Sequence, residues 1–317
     1  MPNLQTNIPL KDHSNFKIGG NAKFFLNVKL IDDLTLGLRQ WHEISKDFPK
    51  EEKKIFVLGS GTNVLFSDEG FNGLVIKNSI DKIDKKDNIV TVGAGTLIST
   101  LLDFCVDSSL SGLEWAGGLP GTVGGAVKGN AGAYGGETKD KIVEVESINL
   151  ETLEIKKRSK SKCEFGYRMS IFKAEAIDEI ITFIKFELTT GKKEEISEFI
   201  EDKKSKRQLR HPLEYPNVGS IHKNVPIEKF SPEQMENLRQ YIKDDPFAVI
   251  PTAKLIFLVG LSGKRVGDAI VSTKHTNFIV NLGSAKAKDV KELIKIIQEA
   301  VKQKFGVDLE TEVMLVD

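Results

Sequence analysis

Residues Gly112–Gly136 read GLEWAGGLPGTVGGAVKGNAGAYGG, ten glycines in twenty-five positions of a 317-residue chain that has only 27. Glycine loses more backbone entropy on folding than any other residue, so this density in a well-mixed sequence needs a physical reason. The stretch holds one proline, no serine and many small apolar residues, which is not the composition of a flexible linker. It predicts backbone moulded around a large, partly anionic ligand.

The rest of the chain bounds what that ligand meets. Hydrophobic residues make up 40% and charged residues 28%, the profile of a soluble globular protein, and the length suits two or three domains. Lys+Arg and Asp+Glu are both 45, so the net charge is zero. A balanced chain argues against a nucleic-acid partner, and an anionic ligand must find local donors. Cys105 and Cys163 are isolated thiols and fit a reduced compartment. The N-terminal stretch lacks the basic-then-apolar signature of a signal peptide, and the apolar run Leu255–Leu261 is too short to span a bilayer. The expectation is a cytoplasmic protein without membrane insertion. Five histidines and no clustered acid spacing predict no catalytic metal.

Apolar bursts at Ala22–Val28, Ile55–Leu58 and Leu74–Ile76 predict short strands, with a helix over Ile31–Phe48. A second unit follows, with strands at Ile89–Val92, Ile142–Leu150 and Glu179–Leu188 and a helix at Thr96–Val106. The basic run Lys156–Lys162 reads as a solvated hairpin tip. Ile196–Arg207 reads as a charged bridging helix into a third unit. That unit carries a strand at Asn277–Asn281 and a helix over Ala287–Phe305, with Gly306 as its stop. Glu312–Val316 reads as a closing strand.

Two loops carry the chemistry. In LGSGTNVL (58–65), Gly59, Ser60 and Gly61 let backbone N–H groups converge into an anion nest, and Thr62 and Asn63 add side-chain donors. Val64 stands where a Rossmann fingerprint has its third glycine and no helix pattern follows, so the segment is not that fingerprint; taken alone, it reads more readily as a tight turn. Gly260–Lys264 lacks P-loop spacing. In the glycine segment, Pro120-Gly121-Thr122-Val123-Gly124-Gly125 is followed by Gly129-Asn130-Ala131-Gly132. Two such loops suit the diphosphate and flat ring of a dinucleotide.

Leu58–Asp68 and Gly117–Gly136 resemble the two FAD-binding signatures of the UDP-N-acetylenolpyruvoylglucosamine reductase family. The similarity is collinear through NFKIGGNA (15–22), FGYRMSIFK (165–173), PNVGSIHKN (216–224), GKRVGDAIVSTKHTNFIVN (263–281) and Leu309–Val313. It implies an α+β architecture: an FAD-binding fold of the vanillyl-alcohol-oxidase/PCMH type, made of two α/β subdomains, plus a smaller α+β substrate-binding domain. The expected boundaries are 1–78 and 79–205 for the FAD-binding subdomains, with strand 307–317 returning to the second, and 206–306 for the substrate domain. The short interval Arg168–Ser220 resembles the family's lidless form.

The implied activity is reduction of UDP-N-acetylglucosamine enolpyruvate to UDP-N-acetylmuramate by NADPH through non-covalent FAD, in peptidoglycan precursor synthesis, by a monomer. Hydride from flavin N5 adds to the methylene carbon, and negative charge spreads into the carboxylate. By resemblance, Ser220 donates the proton, Arg168 grips the carboxylate with paired donors, and Glu312 lies near the reacting carbon. Glu310 competes with Glu312 for that place. Tyr167, Arg207 and Asn224 are expected at the substrate. Gly59, Ser60, Gly61, Thr62, Asn63, Val64, Leu65, Gly118, Pro120, Gly121, Thr122, Gly124, Gly125, Asn130 and Gly132 are expected at FAD. The chain departs from the family at His222, where Phe is common, and at Val225, Phe257 and Met314.

Overall fold

Leu34, Leu38 and Trp41 recur at helical spacing and are buried, so Ile31–Ile44 (α1) packs one face on a sheet. The Asp33 carboxylate accepts from the Leu30 N–H at 3.0 Å and holds the helix start. That sheet runs β1–β2–β5–β3, with β1 at Gln5–Pro9, β2 at Asn21–Val28, β3 at Ile55–Leu58 and β5 at Phe71–Asn78. β3 and β5 are parallel, Ile55 opposite Leu74. The computed structural model describes residues 4–174 and 178–317.

A second sheet has five antiparallel strands in the order β9–β8–β10–β7–β6. They are β6 (Ile83–Lys86), β7 (Ile89–Gly93), β8 (Ile142–Asn149), β9 (Ile155–Ser159) and β10 (Glu179–Glu187). Its core takes Val92, Val145 and Ile184 from the strands, and Ile98, Leu101, Leu102 and Cys105 from α2 (Ile98–Asp107). The bridging helix α4 runs Lys193–Arg210, a turn longer at its start than its apolar stripe predicts.

The chain divides into two compact units rather than at the three expected boundaries. The first holds residues up to Ile8, Ala22–Ser60 and Asn72–Arg207, so both sheets belong to it. The second holds Pro9–Asn21, Gly61–Phe71 and Gln208–Asp317. Its core packs Phe16, Ile18 and Leu65 with Val290, Leu293, Ile297 and Val301 of α7 (Ala287–Phe305). The smaller helices α5 (Pro232–Leu238) and α6 (Thr252–Leu258) add Leu238, Leu255 and Ile256. Gly306, at φ +67, ends α7 as its position predicts. The Asp68 carboxylate caps the other end, accepting from the N–H groups of Ala287 at 2.9 Å and Lys288 at 3.2 Å.

Three expectations are corrected. The closing strand, β11 (Met314–Val316), does not return to the 79–205 region. It pairs in parallel with β4 (Val64–Phe66), Met314 opposite Val64. A three-residue parallel pairing across the length of the chain leaves no local pattern to read. The basic run is not a hairpin tip but mostly edge strand. Arg158 makes a two-pronged pair with Glu179 at 2.6 and 3.0 Å, and Lys157 pairs with Glu146 at 3.4 Å. The glycine segment is also not all loop, because Val123–Lys128 forms the short helix α3. No helix among the described residues is long and apolar enough to cross a membrane.

Candidate active site

In the first unit the two predicted loops meet. A Cβ placed on Gly59 would lie 2.6 Å from Thr122 Oγ1, so only bare backbone lets the turn after β3 approach the glycine segment. Thr122 is the N-cap of α3 and accepts from the Gly125 N–H at 3.3 Å. Gly124 donates its N–H to Ala94 O at 2.8 Å, and a Cβ there would meet Ala94 Cβ at 2.7 Å. Part of the glycine density is therefore internal packing: Gly118 lies against Arg207 and Lys204, with 3.1 Å for an added Cβ. Gly125 differs, being exposed with nothing nearer than 3.4 Å to such a Cβ. The Ser60 hydroxyl is buried without a hydrogen-bond partner among the described residues. A buried orphan hydroxyl and a bare helix start beside a turn fit a ligand with phosphate oxygens.

Asn130 is fully buried at φ +40. Its amide nitrogen donates to Gly166 O at 2.8 Å and Glu137 Oε1 at 3.2 Å, and its oxygen accepts from the Lys139 N–H at 3.1 Å. These bonds make it a clasp within the first unit. They tie the glycine segment to the loop that presents Arg168. Ser170 adds a second tie, donating to Lys128 O at 2.8 Å. Arg168 itself adopts φ +55, a strained conformation for a side-chain-bearing residue. Its Nη2 donates to Gly132 O at 2.9 Å, and its guanidinium stacks 5.2 Å from the Tyr167 ring. Arg207 is buried, donates Nε–H to Gly117 O at 2.9 Å, and keeps Nη2 without a partner among the described residues. Burial pushes its pKa below the usual guanidinium range; the nearby Tyr134 opposes that shift and Arg168 adds to it.

In the second unit Ser220 and Glu312 lie on adjacent backbones. The Glu312 N–H donates to Ile221 O at 2.8 Å, and His222 bridges antiparallel to Thr311. Asparagines fix the turn before Ser220 and the residues after it. Asn217 Oδ1 accepts from the Gly219 N–H at 3.0 Å, where Gly219 has φ +82. Asn277 O accepts from the Ile221 N–H at 2.8 Å, and the Asn277 side chain brackets His222 N at 3.1 Å and His222 O at 2.8 Å. Asn63 Nδ2 donates to Glu312 O at 3.2 Å. Gly61, at φ +71, backs onto His13 O, and its own carbonyl accepts from the Asn15 N–H at 2.9 Å. Val64 and Leu65 are buried strand residues, so any contact they make with a cofactor is through backbone. Asn224 Oδ1 accepts from the Thr252 N–H at 3.1 Å and steadies α6.

Glu310 is exposed and pairs with Lys223 at 2.9 Å, whereas Glu312 is half-buried. Burial lowers the His222 pKa to about 4, against a raising hydrogen bond from Asn277. His275, beside Phe278 and His211, is also lowered to about 4 by burial, with Lys243 adding to the shift. Asn217 and Asn277 were absent from the expected site. Both lie inside quoted motifs, but nothing in their local sequence says that they bracket Ser220.

These features define a class: a protein with an FAD-binding fold of the vanillyl-alcohol-oxidase type and a separate C-terminal domain. Residues 39–152 match the FAD binding domain, and residues 211–316 match the UDP-N-acetylenolpyruvoylglucosamine reductase C-terminal domain. The UDP-N-acetylenolpyruvoylglucosamine reductase of Carboxydothermus hydrogenoformans is 40% identical over 313 residues, covering 97% of this chain and 92% of the relative. That of Caldicellulosiruptor saccharolyticus is 38% identical, covering 96% of this chain and 89% of the relative. The crystal structure of the Thermus caldophilus reductase superposes with a TM-score of 0.75 at 30% identity, covering both chains fully. The chain belongs to the UDP-N-acetylenolpyruvoylglucosamine reductase family.

Proposed function

We propose that this chain is a flavin-dependent oxidoreductase that reduces UDP-N-acetylglucosamine enolpyruvate to UDP-N-acetylmuramate with NADPH, in peptidoglycan precursor synthesis. The observation that carries this reading is the pairing of the Ser220 and Glu312 backbones within the C-terminal domain that matches the reductase family. FAD, when bound, would supply the two-electron chemistry that links NADPH to the enolpyruvyl substrate. Gly59, Ser60, Thr122 and Gly125 in the first unit are the residues that would hold it.

The chain's own groups handle charge and protons. Arg168 grips the substrate carboxylate, and its hold tightens as negative charge spreads there during reaction. The strained loop and the Gly132 carbonyl hold that guanidinium in place beforehand, so little reorganisation is left for the reaction. Ser220 delivers the proton to the carbon beside the carboxylate, fixed in its turn by Asn217 and Asn277. Glu312 stands at the reacting carbon, while Tyr167, Arg207 and Asn224 bind the rest of the substrate. The zero net charge supports a protein without a nucleic-acid partner. We read it as a cytoplasmic monomer of the lidless form.

Anaerobic NADPH should bleach the oxidised-flavin absorption of the purified protein, and the enolpyruvyl nucleotide should restore it. A band that never bleaches, or bleaches and is not restored, rejects the reading. Ser220→Ala should leave reduction by NADPH intact and slow the substrate half-reaction by about 10²–10⁴-fold. Equal loss in both half-reactions would remove Ser220 as proton donor.

A further inference from the structure

Tyr134 caps the two-stranded ribbon Gly132–Ala133 and Gly136–Glu137, with φ +53. Its half-buried ring carries two cations. Arg207 Cζ lies 5.2 Å from the ring centroid and Lys203 Nζ 5.6 Å. Lys203 also pairs with Asp202 at 2.7 Å, so its charge is already met. The Arg207 charge is not, because no carboxylate pairs with it among the described residues. One edge of that guanidinium is pinned by Nε–H to Gly117 O at 2.9 Å. Its face rests on Tyr134. Together a pinned edge and a covered face fix the direction in which Nη2 points, and Nη2 is the buried nitrogen without an acceptor. A desolvated charged donor with no acceptor is costly, so the arrangement is suited to an oxygen supplied from outside the chain.

We propose that Tyr134 is a positioning residue, whose ring face holds the Arg207 guanidinium so that Nη2 takes an anionic oxygen of the UDP-sugar substrate. The proposal rests on the reading of Arg207 as a substrate contact. The oxygen belongs to either the diphosphate or the enolpyruvyl carboxylate. Both are anionic acceptors suited to an arginine, whose planar fork also stacks on aromatic faces.

The test uses the FAD-loaded enzyme with Tyr134→Phe, Tyr134→Leu, Arg207→Met and the Leu/Met double variant. Tyr134→Phe keeps the ring face and should stay within about twofold of the parent. Tyr134→Leu should raise KM for the enolpyruvyl nucleotide about tenfold, the size of a partly desolvated cation–π contact, with kcat and flavin content little changed. In the Arg207→Met background it should add nothing. A Tyr134→Leu effect that survives in that background, or that falls on flavin content or kcat instead of KM, overturns the positioning role. If Arg207→Met raises KM and Tyr134→Leu does not, this proposal alone fails. If Arg207→Met leaves KM unchanged, the reading of Arg207 fails with it. Binding of UDP-N-acetylglucosamine, which has the diphosphate and no carboxylate, identifies the oxygen. Weakening of both nucleotides by Tyr134→Leu assigns a phosphate oxygen, and weakening of the enolpyruvyl nucleotide alone assigns the carboxylate.

Discussion

The two units hold their functional side chains by different means. In the first, bare backbone does most of the work: Gly59 reaches Thr122, Gly124 sits on Ala94, and backbone carbonyls of the glycine segment anchor Arg168 and Arg207. In the second, side-chain amides do it. Asn15 donates to Asn217 O at 2.7 Å, Asn281 to Phe16 O at 3.0 Å, and Asn63, Asn217 and Asn277 hold the Ser220 and Glu312 segments. Close backbone contact is vulnerable to one added carbon. An amide clasp tolerates bulk nearby and is vulnerable to a lost hydrogen bond or a new charge. The contrast has consequences that can be measured in each unit separately.

The largest effect should come from Gly124→Val. The new side chain starts 2.7 Å from Ala94 Cβ and 2.9 Å from Ala94 O, neither of which is the free end of a flexible group. Such overpacking costs about 3 kcal/mol, so flavin content and melting temperature should both fall sharply. A variant that purifies with its full flavin content and parental melting temperature would break the contrast at its first term.

Acid should act on the second unit instead. His222 and His275 are held neutral there, with pKa values lowered from 6.5 to about 4. Above pH 6.5 neither state binds the proton, and this stability is whole. Between 6.5 and about 4 the unfolded chain binds protons that the folded unit refuses, so stability falls as pH falls. The loss reaches about 3 kcal/mol for each histidine, an order-of-magnitude figure. Both tryptophans, Trp41 and Trp115, lie in the first unit. Far-UV circular dichroism should therefore begin to fall in this window before tryptophan emission changes. Simultaneous loss of both signals, or none until below pH 4, would contradict the assignment.

Asn277→Ala removes the bracket on His222 and should cost about 2 kcal/mol in a urea titration. It should also lower kcat through the freed Ser220 segment; unchanged stability and kcat would mean that the bracket is redundant. The smallest effect is Asp68→Ala, which uncaps α7 at a cost of about 1 kcal/mol. A shift in the urea midpoint equal to that of Asn277→Ala would show that the cap carries more than the two N–H groups it meets.

Long periodic elements were legible in the sequence. Ala287–Phe305 and its glycine stop, Ile55–Leu58, and the apolar faces of α1 and α2 follow from spacing alone, because a buried stripe must repeat with the period of its own helix or strand. The order of motifs pointed to the family, and with it to Arg168, Ser220 and Glu312. The short elements were not legible. β4 has three residues, α3 is hidden among glycines that local propensity disfavours in a helix, and β11, though expected as a closing strand, gave no sign of its partner.

What residue order determined by itself was which side chains the chemistry would need and which stretches would be regular, since both depend on neighbours within a few positions. The tertiary structure decided which unit each segment joined. It sent residues 9–21 and 61–71 to the second unit and bound the last strand to Val64–Phe66 rather than to the five-stranded sheet. It also decided how the site residues are held, making Asn130 a clasp and Asn217 and Asn277 the supports of Ser220. Apart from the local Asn217–Gly219 turn, those outcomes rest on hydrogen bonds between residues tens to hundreds of positions apart, and a pairing that distant leaves no periodic trace in the chain that makes it.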